Sequence, residues 1–295
     1  MNRFNTLLLR EWMQHHRGWL VLMLAPPLLI LLLVPFGTVE FNPGELGPMP
    51  AVTLAMMAMA AVPALVLGIT AVSLLFQTPG LARRDRQDRS IEFWLSLPTS
   101  HSASIGATIL MHLVLVPLLA LTLGALLSHV IGFALVWKVF GPAAAFALPW
   151  GMLVSAGAAG LARALLGVLL ACAWLMPLLL LTMAASAWLK RWGVPVLGIA
   201  LGIGHKLLAA LYGVTLIGDT VGGLLVNARR AIVHDLPPRT HGVDATLAWL
   251  ADASSWFLSD ALAALRDLAQ PLFLFALLAS AAGFWLLVLR RSRNG

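Results

Sequence analysis

The chain has 295 residues, 60% of them apolar and 11% charged, against roughly 45–50% and about 25% in an ordinary soluble domain. Disorder is excluded, and so is a soluble globule, which would lack the charge to coat its surface. The composition implies an integral membrane protein with material for about six helical spans of about 20 residues, and the formal charge of +7 reads as topology before nucleic-acid binding.

The first 18 residues are polar, with Arg3, Arg10 and Arg17 seven apart. On a helix they form one stripe, drifting about 20° per heptad. Phe4, Leu8 and Trp12 recur every four residues on another face. This predicts an interfacial elbow helix over 1–18, arginines toward anionic lipid and aromatics toward acyl chains. The plainer alternative is a charge cluster that only orients the first span. Span 1 is expected over 19–38, kinked at Pro26-Pro27. It is too long for a signal peptide, and no small-residue cleavage site precedes the Glu40–Pro50 loop. Span 2 is expected over 51–76. Met49, Met56, Met57 and Met59 near its start suit flexible apolar packing better than copper binding.

The segment 83–100 carries the most information. Arg83, Arg84, Asp85, Arg86, Gln87, Asp88 and Arg89 precede Ser90-Ile91-Glu92-Phe93-Trp94-Leu95-Ser96-Leu97-Pro98-Thr99-Ser100. Ser90 suits an N-cap, Glu92 the positive end of a helix, and Pro98 ends it after two turns. Ile91, Trp94 and Leu95 share a face, with Phe93 and Leu97 beside it. A helix this short is a poor membrane anchor and a good knob for a partner's groove.

Span 3 is expected over 103–130. Residues 131–163 are broken by Lys138, Gly141-Pro142, Pro149 and Gly151, which predicts an interfacial or re-entrant excursion. Span 4 covers 164–189 and stops at Lys190-Arg191-Trp192; span 5 covers 194–217. The outer segment 219–270 contains a candidate helix after Asp244 and another turn or two from Asp260 to Leu268, helices lying on the outer leaflet or a plain connecting loop. Trp249, Trp256 and Phe257 suit a headgroup layer. Span 6 covers 271–289 and stops at Arg290-Arg291-Ser292-Arg293. With both termini cytoplasmic, 12 of the 19 basic residues lie inside, and the outer pieces hold six basic against eight acidic residues. A seventh span at 143–162 would put the later basic clusters outside, so six spans fit the positive-inside rule.

Gly198 and Gly202 are spaced for close helix approach. Lys206 lies 13 residues, about 20 Å, into span 5, near the bilayer midplane. A lysine there costs about 2.5–3.5 kcal/mol on insertion scales. With His205 it is expected to line a pathway or dimer cleft, unless span 5 is displaced and Lys206 snorkels. The run from Gly198 to Lys206 lacks the spacing of a phosphate loop, and no such loop occurs elsewhere in the chain. No H-E-x-x-H pattern occurs, and the eight histidines are scattered. Cys172 is the sole cysteine. Ser73, Ser155 and Ser186 have no supporting motif. No catalytic, cofactor or metal site is therefore expected.

The run from Arg83 to Ser100 resembles the cytoplasmic loop of type-2 ABC exporter permeases. There, an "E-R/D-x-x-G-T/S-I/L-E" stretch precedes "x-L-L-x-L-P-V/T-S/T" and the third span. Asp85 stands for the usual glutamate and Arg89 for the usual glycine. The resemblance extends to the basic elbow, the six spans and the long outer segment. It implies that Ile91, Glu92, Phe93, Trp94, Leu95, Leu97 and Pro98 form a coupling helix seated on a separate ATPase subunit. Two ATPase copies, which would bind ATP and Mg, and a second permease copy or paralogue would complete the complex in a bacterial cytoplasmic membrane. A relay of ATPase work to a periplasmic partner is the first rival; a polytopic membrane enzyme is the second.

Overall fold

A computed structural model describes residues 3–37, 50–82, 100–237 and 242–293. An apolar chain in hydrocarbon must satisfy its own backbone hydrogen bonds, and helices do so within one segment. Among the described residues every element is helical and none is a strand. Five helical stretches are long and apolar enough to cross a membrane: Arg3–Leu33, Ala51–Leu81, His101–Phe140, Trp150–Tyr212 and Pro271–Ser292.

We label the elements α1 (Arg3–Leu33), α2 (Ala51–Leu81), α3 (His101–Phe140), α4 (Pro142–Phe146) and α5 (Trp150–Leu189). They continue as α6 (Gly193–Tyr212), α7 (Leu216–Ile232), α8 (Val243–Arg266) and α9 (Pro271–Ser292). The fourth apolar stretch thus doubles back at Lys190–Trp192 into α5 and α6.

Several boundaries differ from the sequence reading. The expected elbow is not a separate helix: it runs into span 1 as α1, because nothing between Arg10 and Pro26 breaks the helical hydrogen bonding. Residues 131–163 are mostly helical. Their first part extends α3, and their last part opens α5, with α4 between. Gly141, at φ 86°, turns the chain, while Lys138 sits harmlessly in the last turn of α3. The small residues of this stretch make contacts: Gly157 lies against Met59 and His129. Span 5 ends early, at Tyr212, where Gly213 at φ 65° caps α6. The segment 219–270 holds most of α7 and all of α8, two long helices in place of a plain loop. The expected coupling helix lies outside the described residues. Ser100, just after it, caps α3 by accepting from the Ala103 N–H at 3.2 Å.

α3 and α5 each have 40 residues, about 60 Å of helix against a hydrocarbon core of about 30 Å. α2 packs along α3 more extensively than any other pair. Gly124 permits it: a Cβ there would stand 2.7 Å from Pro63 Cα. At the end bearing Lys190 and Arg290, one cluster joins Leu81, Ile105, Met183, Ala187 and Leu287. At the far end Val52, Val136, Leu153 and Ala253 form another. Between them Trp174, fully buried, meets Phe273 at 4.9 Å between ring centres.

Two backbone irregularities have local causes. Within α3, Leu110–Leu115 is a π turn, and the Val116 N–H donates to the Met111 carbonyl five residues back. Pro117 has no N–H for the Leu113 carbonyl; the Cys172 thiol of α5 donates to that oxygen instead, at 2.8 Å. Lys190 reverses the chain with φ 54° and ψ −128°, a geometry that glycine adopts freely and other residues adopt at a cost of about 1–3 kcal/mol. Lys190→Gly is expected to raise stability by about 1 kcal/mol, read as a higher unfolding midpoint of the purified protein in detergent. A lower midpoint would mean that the lysine side chain holds the turn.

Candidate functional site

Of the residues singled out by sequence, Ile91, Glu92, Phe93, Trp94, Leu95, Leu97 and Pro98 lie outside the described residues. Arg3, Phe4, Leu8, Arg10, Trp12 and Arg17 all fall on the first half of α1. Their surroundings within the protein differ. Arg3 and Arg17 are exposed, but Arg10 turns inward to a buried ion pair with Glu11. Leu8 and Trp12 pack on a core of Trp19, Met23, Val66 and Met111. The heptad pattern identified the helix; it could not reveal which side faces protein.

On α6 the predicted residues separate. A Cβ on Gly198 or Gly202 would meet nothing within 4 Å, so the small-residue face is open among the described residues. Ile199, Ile203, Leu207 and Leu211, four apart, are exposed beside it. His205 lies across Gly218 of α7, where a Cβ would come within 2.6 Å of the ring. Lys206 is exposed.

Two polar clusters that sequence reasoning missed lie in the interior. The first joins α5, α7 and α8. Arg163 Nε and Nη2 each lie 2.7 Å from Asp260 Oδ2, and Nη1 donates to the Ala231 carbonyl at 2.8 Å. Asp260 Oδ1 accepts the Asp235 N–H at 2.7 Å. Both side chains are about 96–97% buried. Gly167, one turn along α5, allows the end of α7 to approach; its Cβ would stand 2.7 Å from the Ala231 oxygen. His234 extends the network toward the surface, 3.2 Å from Asp235 and 3.5 Å from Asp267.

The second cluster joins α1 to α3. Glu11 and His15, four residues apart, share a face of α1. Thr108 and His112, also four apart, meet them from α3. Glu11 is 3% exposed and His112 is fully buried. The Thr108 hydroxyl donates to Glu11 Oε1 at 3.1 Å, the oxygen that also accepts from Arg10. Glu11 Oε2 faces His112 Nδ1 at 3.9 Å. That nitrogen also lies 3.0 Å from the Thr108 carbonyl. Trp19 stands edge-on to the His112 ring at 5.1 Å, and the His15 ring is 5.6 Å away. Glu11, His15 and His112 are one of two groups of potential metal ligands among the described residues; His234, Asp235 and Asp260 are the other. The sequence expectation of no metal ligand set saw scattered histidines because partners 97 residues apart leave no spacing pattern. The i, i+4 pair Glu11/His15 was the one readable signal.

The chain matches no family model, no curated protein and no solved structure.

Breaking a buried ion pair from one side leaves a lone charge and costs about 3–5 kcal/mol, while replacing both partners by apolar residues is close to neutral. Arg163→Met and Asp260→Leu are therefore each expected to lower the unfolding midpoint in detergent markedly. The double variant should recover most of the loss. Equal loss in the double variant would show that the pair is not the fastening element.

Proposed function

We propose that the chain is the permease subunit of an ATP-binding cassette exporter in a bacterial cytoplasmic membrane, with a separate ATPase supplying the work. The chain carries out no covalent chemistry in this reading; ATP and Mg belong to the partner. The observation that carries it is where the helix ends gather. Leu81, Ile105, Ala187 and Leu287 share one cluster. It joins both borders of the 83–100 segment to the turn bearing Lys190 and Arg191 and the helix end bearing Arg290 and Arg291. A knob of Ile91, Phe93, Trp94, Leu95 and Leu97 on that basic end, with Glu92 and Pro98 shaping it, suits a groove on a soluble partner.

A second permease copy fits the open face of α6. In hydrocarbon an exposed lysine is costly, and such residues ordinarily face protein or water. Lys206 meets that requirement when a second α6 approaches across Gly198 and Gly202, closing a cleft around the lysines.

The relay reading, in which ATPase work passes to a periplasmic partner, is favoured by one observation. α3 and α5 are about twice as long as the hydrocarbon core is thick, and α8 packs on the half of α5 farthest from Lys190. Forces applied at the basic end would reach that half through α5, one unbroken α-helix, and through α3 across its π turn.

Tagged protein in mild detergent is expected to co-purify with an ABC ATPase, and Trp94→Ala/Leu95→Ala to lose it while remaining folded. A folded wild type with no ATPase partner would sink both the exporter and the relay. Separately, Gly202→Cys in a Cys172→Ser background is expected to form a disulfide-linked dimer in membranes. A monomer under the same oxidation would remove α6 from the subunit interface.

A further inference from the structure

We propose that Glu11, His15 and His112 bind a divalent transition-metal ion of the zinc class, clamping α1 to α3. This does not depend on the exporter reading. One donor atom from each residue lies within 4.8 Å of the others. A carboxylate oxygen and two imidazole nitrogens form a donor set that suits zinc and its neighbours, with a fourth position left for water. Metal–ligand distances of about 2.0–2.2 Å require donors about 3.3–3.5 Å apart. Small side-chain rotations achieve that, since His15 is only half-buried.

The surroundings orient the donors. Thr108 acts on two of the residues: its hydroxyl donates to Glu11 Oε1, and its carbonyl accepts from His112 Nδ1 at 3.0 Å, which leaves Nε2 as the coordinating nitrogen. Such outer contacts fix the direction of coordinating groups. Because Arg10 and Thr108 both take Oε1, Oε2 is the oxygen turned to His112. The π turn at Leu110–Leu115 contains His112, and π turns recur at functional sites because one extra residue re-aims a side chain. Arg10 opposes a cation here. Its charge sits on the same carboxylate, so it weakens the site and makes a test possible. The other ligand group is the weaker candidate, because Asp260 already holds Arg163 and the Asp235 N–H.

The test is zinc binding by the full chain, purified in detergent, stripped with chelator and titrated with buffered zinc. About one zinc per chain is expected, as a single three-residue site requires. Glu11→Gln and His15→Ala should each weaken binding at least about tenfold, and His234→Ala should leave it unchanged. Arg10→Gln should tighten it several-fold, because a nearby like charge is removed; a merely structural Arg10–Glu11 pair predicts no tightening. Cobalt in place of zinc should give the visible absorption of a tetrahedral site, abolished by His15→Ala. His15→Ala leaves the buried pair of Glu11 and Thr108 in place, so it decides the matter if Glu11→Gln fails to fold. No saturable zinc or cobalt binding, or binding that His15→Ala leaves intact or that His234→Ala removes, overturns the proposal.

Discussion

The buried contact between Arg163 and Asp260 sets the arrangement of the half of the molecule farthest from Lys190. Helices that meet through alanine, leucine and glycine slide past one another at little cost, because lipid offers the same contacts as protein. A guanidinium that must meet a carboxylate and a carbonyl within 2.8 Å leaves one register. With it, α7 ends beside Gly167 and α8 lies along α5. The Asp235 N–H, drawn to the same carboxylate, anchors the chain just beyond α7. Further polar contacts fasten this half. The Asn227 amide donates to Gln270 at 3.3 Å, tying α7 to the start of α9, and the Lys138 ammonium donates to the Pro35 carbonyl, tying α3 to the end of α1.

α5 is the element around which this half and the other are joined. Its far half carries α7 and α8, and its basic half packs on α9 and on the first turns of α3. Tryptophan 174 sits where the halves meet, against Phe273 and a layer of alanines. A large ring among small residues fills the gap that two diverging sets of helices leave.

How much of this was legible follows from what each signal encodes. Apolar runs located the long helices well, because hydropathy reports desolvation directly. They missed the helix bounds within 131–163, where Gly141, Pro142 and Pro149 punctuate a turn between two long helices. Proline at the first turn of α4 and just before α5 starts helices as readily as it ends them. The buried clusters were hidden for another reason. Arg163 and Asp260 are 97 residues apart, as are Glu11 and Thr108, and each residue read singly looks like an ordinary topology charge or an ordinary helix threonine. Arg10 shows the limit of pattern reading: three arginines at a seven-residue spacing share a stripe, yet the middle one is drawn inward by its own neighbour.

The π turn in α3 divides that helix into two independently aimed halves. One residue beyond the regular count advances the helical phase by about 100°. Upstream, Ile105 and Ile109 therefore address α5 and α9; downstream, Gly124 and Gly132 address α2. A continuous α-helix would present only one of these faces correctly. Unwinding the extra residue would act like a camshaft, turning one set of contacts against the other without moving the helix axis. The Cys172 thiol on Leu113, inside that joint, and the Thr108 hydroxyl on Glu11, just before it, hold its phase from two different helices.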